Sequence, residues 1–219
     1  MIAADVRDRV AARFDSRFLR GYARGKIGSD PLYAAVQSRL RERELPLLDI
    51  GCGIGLLSFV LRESGYAAAI SGIDHDSAKI GAAQRLATGY RDLTFAVADA
   101  RAALGAFSGH VTLLDLLHYF DGDEQQRILA AAIEATAPGG MVILRDCVRD
   151  GSWRFRLTYA QESLARAVQW LKAERLHFAT RDEIAAPFRS AGFAEEIVPL
   201  WGRTPFNNYL FVFRRPATS

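Results

Sequence analysis

A chain of 219 residues, half of them hydrophobic and about a quarter charged, is long enough for one well-buried domain with modest additions. Its apolar runs are shorter than the roughly 18–20 residues that a membrane-spanning helix needs, and charges throughout residues 1–24 argue against a secretory signal. Cys52 and Cys147 form neither a disulfide framework nor a zinc motif, so we expect a cytoplasmic protein without a metal site.

Charge is unevenly distributed along the chain, although the formal net charge is only +3. Basic side chains outnumber acidic ones in residues 1–45 and 145–181, whereas residues 46–144 are predominantly acidic. This division either steers an anionic partner towards a cleft or reflects solvated helix faces with surplus arginine. Basic and acidic side chains are too mixed for a phosphate-tracking stripe, so a nucleic-acid partner is not expected.

Two helices are predicted within the first 45 residues, at residues 6–22 and 32–42. Strand-like and helix-like segments then alternate, which predicts a doubly wound, mostly parallel, Rossmann-like α/β sheet covered by helices on both faces. The predicted strands are residues 46–50, 68–74, 93–98, 111–114 and 141–146, and the predicted helices are residues 56–64, 78–88 and 123–135.

The C-terminal third departs from this alternation. A helical segment at residues 155–172 and a helix at 180–191 precede two strands, at 194–200 and 208–214, that have no helix between them. Two such strands pair as an antiparallel hairpin or diverge. We therefore predict four parts of one domain: an N-terminal helical cap (1–45), a core (46–148), a helical lid (149–181), and a C-terminal helix and hairpin (182–219) that complete the core.

The most informative segment, Leu47-Leu48-Asp49-Ile50-Gly51-Cys52-Gly53-Ile54-Gly55, lies where the first predicted strand ends. Glycines between a strand and a helix let a ligand lie against bare backbone near a helix N-terminus. Their spacing departs from the dinucleotide fingerprint G-x-G-x-x-G, because Leu56 stands where the third glycine would fall. The pattern D-x-G-x-G-x-G resembles the first motif of class I S-adenosylmethionine-dependent methyltransferases, whose sheets also end in a hairpin.

Further motifs carry this resemblance through residues 46–146. Asp74 ends the second strand, where the family's acidic residue accepts both ribose hydroxyls, although taken alone it could equally cap the next helix. Asp99 and Ala100 match the position that contacts adenine in this family. His75 either packs on the adenine or faces solvent. Asp115 either faces the cofactor or caps a loop. The resemblance implies S-adenosylmethionine as cofactor, bound by Asp49, Gly51, Gly53, Gly55, Asp74, His75, Asp99, Ala100 and Asp115.

Two candidate catalytic residues follow the fourth and fifth strands, at the edge where ligands bind in open α/β sheets. His118 is the candidate general base, which is needed only if the acceptor arrives protonated; alternatively it is a hydrogen-bonded histidine that shapes the cofactor pocket. Asp146 is the second candidate, and Arg145-Asp146 could orient a substrate or form a structural ion pair. A second acidic cluster does not accompany Asp146 in the sequence, so a divalent-metal site is not predicted.

Candidate acceptor-binding residues are spread along the chain. The aromatic and cationic side chains of residues 149–181 suit an aromatic or long apolar acceptor with an anionic end, but an ordinary amphipathic helix shows the same pattern. Residues 20–26 and 202–208 resemble a subgroup of small bacterial methyltransferases labelled trans-aconitate-methyltransferase-like, in which residues 20–26 would form a lid. The candidates are Tyr22, Tyr119, Arg145, Arg154, Arg203 and Asn207.

The favoured function is methyl transfer to a small-molecule or carrier-bound acceptor, at the oxygen of an aryl, acyl or carboxylate group. The alternative is a non-catalytic S-adenosylmethionine-binding subunit that activates a partner. A nicotinamide-dependent oxidoreductase is less favoured because of the glycine spacing and the terminal hairpin. The N-P-P-Y motif of enzymes that methylate exocyclic amines is replaced by Asp115-Leu116-Leu117-His118. We expect a monomer or a homodimer.

Overall fold

The computed structural model describes residues 1–102, 105–167, 176–202 and 204–217. The chain forms two compact units, Met1–Ala102 and Ala103–Ser219, and each of them combines strands with helices. Within the described ranges, no helix combines the length and the apolar character needed to cross a lipid bilayer.

The first unit begins with helices that differ from the prediction. α1 (Ala4–Ala12) and α2 (Arg17–Ser29) replace the single helix predicted at residues 6–22, and α3 (Leu32–Leu40) matches the second predicted helix. The break arises because Ser16 is extended and its side chain accepts a hydrogen bond from the Leu19 N–H at 3.2 Å, which caps a new helix. Phe14, in the connection between α1 and α2, is buried and packs edge-on against Phe59.

A parallel sheet with the order β3-β2-β1 completes the first unit. Its strands are β1 (Leu47–Ile50), β2 (Ile70–Asp74) and β3 (Leu93–Val97), joined by helices α4 (Leu56–Glu63) and α5 (Ser77–Ala87). All four residues of β1 are buried, as is typical of strands covered on both faces. The register pairs Ile50 with Ile73, so β1 and β2 end at the same edge, and the loop after β1 lies beside Asp74.

The second unit contains a mixed sheet with the order β4-β5-β7-β6. Its strands are β4 (His110–Leu114), β5 (Met141–Cys147), β6 (Ala194–Pro199) and β7 (Asn208–Arg214). β4 and β5 are parallel, whereas β7 runs antiparallel to both β5 and β6. These strands confirm the predicted hairpin and the predicted class of mostly parallel α/β sheet closed by antiparallel strands.

Helices separate most of these strands along the second unit. They are α6 (Gly122–Ala135), α7 (Trp153–Ala167) and α8 (Arg181–Ser190), and a single 3-10 turn, Leu117–Tyr119, follows β4. The end of the helix predicted at residues 155–172 lies outside the described residues. The core between α8 and β7 is aromatic, with the Phe188 ring stacked on Phe213 at a centroid distance of 3.8 Å.

Candidate functional site

The loop that joins β1 to α4 is built from left-handed backbone. Gly51, Gly53 and Gly55 have φ angles of 76°, 57° and 78°, in a region that glycine adopts without steric cost. The N–H groups of Gly51 and Cys52 donate to the carbonyl oxygen of Ile73 on β2, at 2.8 and 3.0 Å. The three glycines of the motif therefore shape one tight turn that is pinned to the neighbouring strand.

Two glycines of this loop differ in what a side chain would meet. A Cβ atom on Gly55 would lie 2.7 Å from the Phe95 ring and 3.1 Å from the Phe59 ring, so internal packing excludes a side chain there. A Cβ atom on Gly53 would meet no described atom within 4 Å, so the space beside Gly53 is open to a ligand. Gly55 is also the N-cap residue of α4 and provides no side-chain cap, and N–H groups of such a first turn are suited to polar ligands.

Asp74 holds this loop in place. Its buried carboxylate accepts hydrogen bonds from the N–H groups of Gly53 and Asp76, both at 2.9 Å. Capping of α5, the alternative role for Asp74, belongs to Asp76, whose side chain accepts from the N–H groups of Ala78 and Lys79. Because each carboxylate oxygen can accept a second hydrogen bond, Asp74 could bind a ribose diol while it fixes Gly53.

Asp49 and His75, two other predicted cofactor residues, differ in burial. Asp49 lies on β1 and is 2% exposed, so its carboxylate is shielded from water. The His75 side chain is 73% exposed, and its Nδ1 lies 3.4 Å from Asp74 Oδ1. His75 therefore faces solvent, which is the second of its two predicted orientations.

Asp99, the predicted adenine contact, is held by a residue that the motif does not indicate. Arg101 donates to the Asp99 carboxylate from its backbone N–H (2.8 Å), from Nε (2.9 Å) and from Nη2 (2.6 Å). These hydrogen bonds lower the pKa of Asp99 to about 2, so the carboxylate is ionised and acts only as an acceptor. The Asp-x-Arg spacing after β3 is the sequence signal that could have identified Arg101. Ala100, between the two, is buried.

In the second unit, the structure brings His118 and Asp146 together. His118 Nδ1 lies 2.6 Å from Asp146 Oδ1. Asp146 also accepts from the backbone N–H groups of His118 (3.2 Å) and Cys147 (2.7 Å), so the carboxylate is held by three contacts. An ionised carboxylate can only accept hydrogen bonds, so Nδ1 carries the proton, and Nε2 of the neutral imidazole is left as an acceptor.

The second ring nitrogen of His118 has no comparable contact. Nε2 is buried and makes no hydrogen bond within the described part of the chain. Phe178 stacks on the imidazole, with ring centroids 5.4 Å apart and planes 11° from parallel, and the Tyr119 ring lies 4.1 Å away. A buried polar atom without a partner costs free energy, and a ligand that donates a hydrogen bond would remove this cost. His118 thus combines an anchored nitrogen with one that can serve a ligand.

Nearby carboxylates control the protonation of His118. Burial by itself lowers the pKa of the imidazole, but the charge and hydrogen bond of Asp146 oppose this effect, and Asp115 and Glu162 act in the same direction as Asp146. The net result is a raised pKa for His118. Burial and the same three carboxylates also raise the pKa of the Tyr119 phenol. The protonated forms of both rings, imidazolium and neutral phenol, are therefore favoured by their surroundings.

Asp115 and Arg145, predicted to bind the cofactor and the acceptor, pair with each other. The buried Arg145 guanidinium donates to the Asp115 carboxylate from Nε at 2.6 Å and also from Nη2. Asp115 has a φ of 56°, in the left-handed region that aspartate tolerates better than most residues. Arg145 therefore forms a structural ion pair, one of the two alternatives predicted for Arg145-Asp146, but its partner is Asp115. The predicted roles of Asp115, a cofactor contact or a loop cap, did not include this pairing. Across the described ranges, no three metal-ligating side chains are grouped to hold an ion.

Gln125, which sequence analysis does not single out, supports the turn that carries His118. From α6 its Nε2, which carries two N–H groups, lies within hydrogen-bond distance of three carbonyl oxygens, those of Leu117 (3.0 Å), Phe120 (3.1 Å) and His177 (2.7 Å). The His177 N–H donates to the His118 carbonyl at 2.9 Å, which ties the segment bearing Phe178 to this turn. No motif marks Gln125, because the fold alone brings these carbonyl groups together.

Tyr22 and Arg154, two predicted acceptor contacts, lie in different surroundings. Tyr22 is on α2, with 48% of its surface exposed. Arg154 is on α7, where its guanidinium lies over the rings of Trp153 (4.8 Å) and Trp201 (4.4 Å) and donates to the Thr204 carbonyl at 2.9 Å. Arg154 therefore ties α7 to the connection between β6 and β7, a contact that the sequence does not predict.

Asn207, another predicted acceptor contact, is completely buried. Its Nδ2 donates to the Val148 carbonyl at 2.8 Å, and its backbone N–H donates to Thr158 Oγ1 at 3.0 Å. Its Oδ1 has no hydrogen-bond partner among the residues described. Asn207 thus anchors the connection between β6 and β7 to the end of β5 and to α7. The nearby candidate Arg203 lies outside the described residues.

Several solved structures share this fold. Magnesium protoporphyrin IX methyltransferase (ChlM) from Synechocystis PCC 6803 with bound SAH is 20% identical, with a TM-score of 0.67 over 96% of this chain and 93% of that one. A structure that concerns conversion of a disulfide bond into a thioacetal group during echinomycin biosynthesis is 25% identical, with a TM-score of 0.64 over 87% of this chain and 82% of that one. An O-methyltransferase family protein from Burkholderia thailandensis is 20% identical, with a TM-score of 0.67 over 95% and 63%.

Sequence comparison provides the family. A comparison with curated proteins gave no match. A family model described as a methyltransferase domain matches residues 19–196, which span both the glycine loop and the His118 turn. Because this match covers most of the chain, the protein belongs to the methyltransferase-domain family.

Proposed function

We propose that the protein transfers the methyl group of S-adenosylmethionine to an oxygen atom of a small-molecule acceptor, in an aryl, acyl or carboxylate group. One observation carries this proposal: His118 is anchored through Nδ1 by Asp146 and keeps a buried Nε2 with no partner among the described residues. Such an imidazole is suited to general-base catalysis, which a protonated oxygen acceptor needs. Membership of the methyltransferase-domain family supports the reaction class.

The residues of the first unit fit S-adenosylmethionine. The open space beside Gly53 admits a ligand against bare backbone, and the first turn of α4, which begins after Gly55, is suited to polar groups. The carboxylates of Asp49, Asp74 and Asp99 would accept hydrogen bonds from the amino, ribose and adenine groups. Bound S-adenosylmethionine supplies a methyl group that its sulfonium makes electrophilic.

His118 is the residue that would move a proton. Its Nε2 would accept the hydroxyl proton of the acceptor, and the acceptor oxygen would take the methyl group that bound S-adenosylmethionine supplies. Asp146 keeps Nδ1 protonated and stabilises the imidazolium that forms. Phe178 and Tyr119 pack against the ring and limit access of water to it. A positioned base of this kind contributes about 10²–10⁴-fold in rate.

Finer features of the function stay predictions. These are the trans-aconitate-methyltransferase-like subgroup, a lid that includes Tyr22, a carrier-bound acceptor, and a monomeric or homodimeric state. Of the two arginines that could meet an acidic carrier on α7, Arg156 is exposed, whereas Arg154 is already engaged with Thr204. A carrier-docking experiment should therefore reverse the charge of Arg156 first.

Label transfer tests the proposed reaction. The purified protein is incubated with methyl-labelled S-adenosylmethionine and an extract of the source cells, and the products are separated into organic-soluble, small aqueous and acid-precipitable fractions. Label in either of the first two fractions supports a small-molecule acceptor, and label in the precipitate indicates a protein or carrier-bound acceptor. Calorimetric binding of S-adenosylhomocysteine without any labelled product would favour a non-catalytic subunit. Binding of NADH instead would overturn the proposal.

A further inference from the structure

Three carboxylates act on His118 from different elements of the second unit. Asp146 lies on β5 and contacts the imidazole at 2.6 Å, Asp115 directly follows β4, and Glu162 is on α7. All three raise the pKa values of His118 and of the neighbouring Tyr119 phenol. Arg145 balances the charge of Asp115, so Asp146 and Glu162 supply the negative charge that an acceptor would meet near His118.

Aromatic rings provide the apolar part of the same region. The ring stacked on His118 belongs to an aromatic cluster that consists of Phe155, Tyr159 and Phe178. Phe155 and Tyr159 meet Phe178 edge-on at 5.6 and 6.0 Å. Phe178 is buried, whereas half of the Tyr159 surface is exposed, so the cluster reaches from the imidazole to the surface. A planar ring would extend the cluster by the same edge-on contacts.

Glu162 is connected to this cluster through α7. Phe155, Thr158 and Glu162 follow one another at three- and four-residue spacing, so they share one face of the helix. Phe155 contacts Phe178, and Thr158 bonds the Asn207 N–H, which establishes that this face points into the second unit. Glu162 therefore lies on the face of α7 that meets the His118 centre.

We propose that the acceptor is a phenol that carries no anionic group, and that Glu162 helps to select it; this inference rests on the proposed methyl transfer. A carboxylate acceptor is ionised before it binds, has no proton for Nε2 to accept, and would be repelled by Asp146 and Glu162. A phenol, with an ordinary pKa near 10, arrives protonated and neutral. Its O–H proton passes to His118 Nε2 while its oxygen forms the bond to the methyl carbon and the methyl–sulfur bond breaks.

Three nearly isosteric phenols test this selectivity. 4-Hydroxybenzamide, 4-hydroxybenzoate and 4-hydroxybenzamidine carry a neutral, an anionic and a cationic group on the same ring. Their affinities are measured by calorimetry with the enzyme saturated by S-adenosylhomocysteine, so that no reaction is needed. We expect the amide and the amidine to bind at least about tenfold more tightly than the benzoate, the scale of a charge–charge interaction at a partly screened distance.

Matched variants assign the selectivity to particular side chains. Glu162→Gln removes one negative charge without changing the shape, so the preference over the benzoate should fall severalfold. Glu134→Gln makes the same chemical change at an exposed position on α6 and should leave the preference unchanged. Phe155→Leu reduces the aromatic cluster and should weaken binding of all three compounds alike.

The outcomes separate this inference from the proposed function. Equal affinities, or tighter binding of the benzoate, would overturn the inference. So would failure of all three phenols to bind to an enzyme that binds S-adenosylhomocysteine and labels another acceptor, in which case the proposed function stands. Loss of S-adenosylhomocysteine binding altogether would overturn the proposed function. An identical loss for all three phenols in Glu162→Gln would assign Glu162 a structural role only.

Discussion

The glycine loop of the first unit and the His118 centre of the second unit are built in opposite ways. The loop uses backbone groups of consecutive residues, Gly51 to Gly55, fixed by the single carboxylate of Asp74. The centre uses the side chains of His118, Asp146 and Phe178, which are far apart in the sequence. A loop made of local backbone is visible as a motif, whereas a centre made of distant side chains is not. Changes in the loop should alter cofactor binding, and changes in the centre should alter rate.

Removal of the base should give the largest effect, a loss of rate without a loss of cofactor binding. In His118→Asn the side-chain amide can still donate to Asp146, in place of Nδ1, but the atom equivalent to Nε2 is missing. We expect kcat to fall about 10²–10⁴-fold, the usual contribution of a positioned base. The affinity for S-adenosylhomocysteine should stay unchanged, because the residues that fit it belong to the glycine loop. Single-turnover kinetics and calorimetry measure the two quantities, and a kcat within threefold of wild type would contradict the role of His118.

Asp146→Asn should change the pH dependence of the centre. Burial lowers the pKa of His118 and the carboxylates raise it, so loss of the Asp146 charge leaves burial opposed only by Asp115 and Glu162. A base must be neutral to act, so wild-type activity should rise with pH through the raised pKa of His118. In the variant this acid limb should move to lower pH. A pH profile of kcat tests the shift, and an unmoved limb would mean that another group controls it.

The same variant has a stability consequence with a defined sign. The pKa of His118 is higher in the folded protein than in the unfolded chain, so protonation favours the folded state. This contribution is fully present below the unfolded pKa of about 6.5 and is lost as pH rises through the raised value. Denaturant unfolding of wild type and Asp146→Asn should therefore differ more at pH 5.5 than at pH 8.5. A difference that grows with pH would contradict the assignment.

Two matched glycine substitutions separate the effect of internal packing from the effect of ligand contact within the loop. Gly55→Ala should lower the free energy of unfolding by about 2–4 kcal/mol, because the new Cβ meets Phe95 and the backbone is left-handed. Gly53→Ala should cost only about 1–2 kcal/mol, the penalty of the left-handed conformation alone. S-adenosylhomocysteine binding should nevertheless fall at least tenfold in Gly53→Ala, since its Cβ enters the open space. Full binding by that variant would mean that Gly53 only forms a turn.

The sequence predicts the parts of this molecule that depend on local or periodic residue patterns. The alternation of strands and helices, the closing hairpin and the glycine turn are local or periodic features, and the structure confirms the sheet class that they predict. The sequence predicts one helix where the structure has α1 and α2, because Ser16 acts as a cap within an otherwise continuous helical pattern. Capping by a single side chain is a weak signal when hydrophobic periodicity continues across it.

The arrangement of side chains in the site was less predictable. The sequence placed His118, Asp115, Arg145 and Asp146 at one sheet edge, but their pairing could follow only from register and side-chain direction. Asp115 pairs with Arg145, and His118 pairs with Asp146. The role of Gln125 has no sequence signal, because its partners are backbone carbonyl groups, which every residue carries. Sequence patterns report residue types, and these contacts depend on geometry.

Asp74→Ala tests whether the carboxylate that fixes the loop also contacts the cofactor. Loss of its acceptor oxygens should weaken S-adenosylhomocysteine binding by about 1–3 kcal/mol, and Asp74→Asn, which keeps one acceptor oxygen, should lose less. Calorimetry with S-adenosylhomocysteine and its 2′-deoxyribosyl analogue separates two causes. If Asp74 accepts from the ribose, wild type should prefer the natural compound and Asp74→Ala should lose that preference. If Asp74 acts only by fixing Gly53, both compounds should weaken equally, and unchanged affinity for both would remove Asp74 from the site.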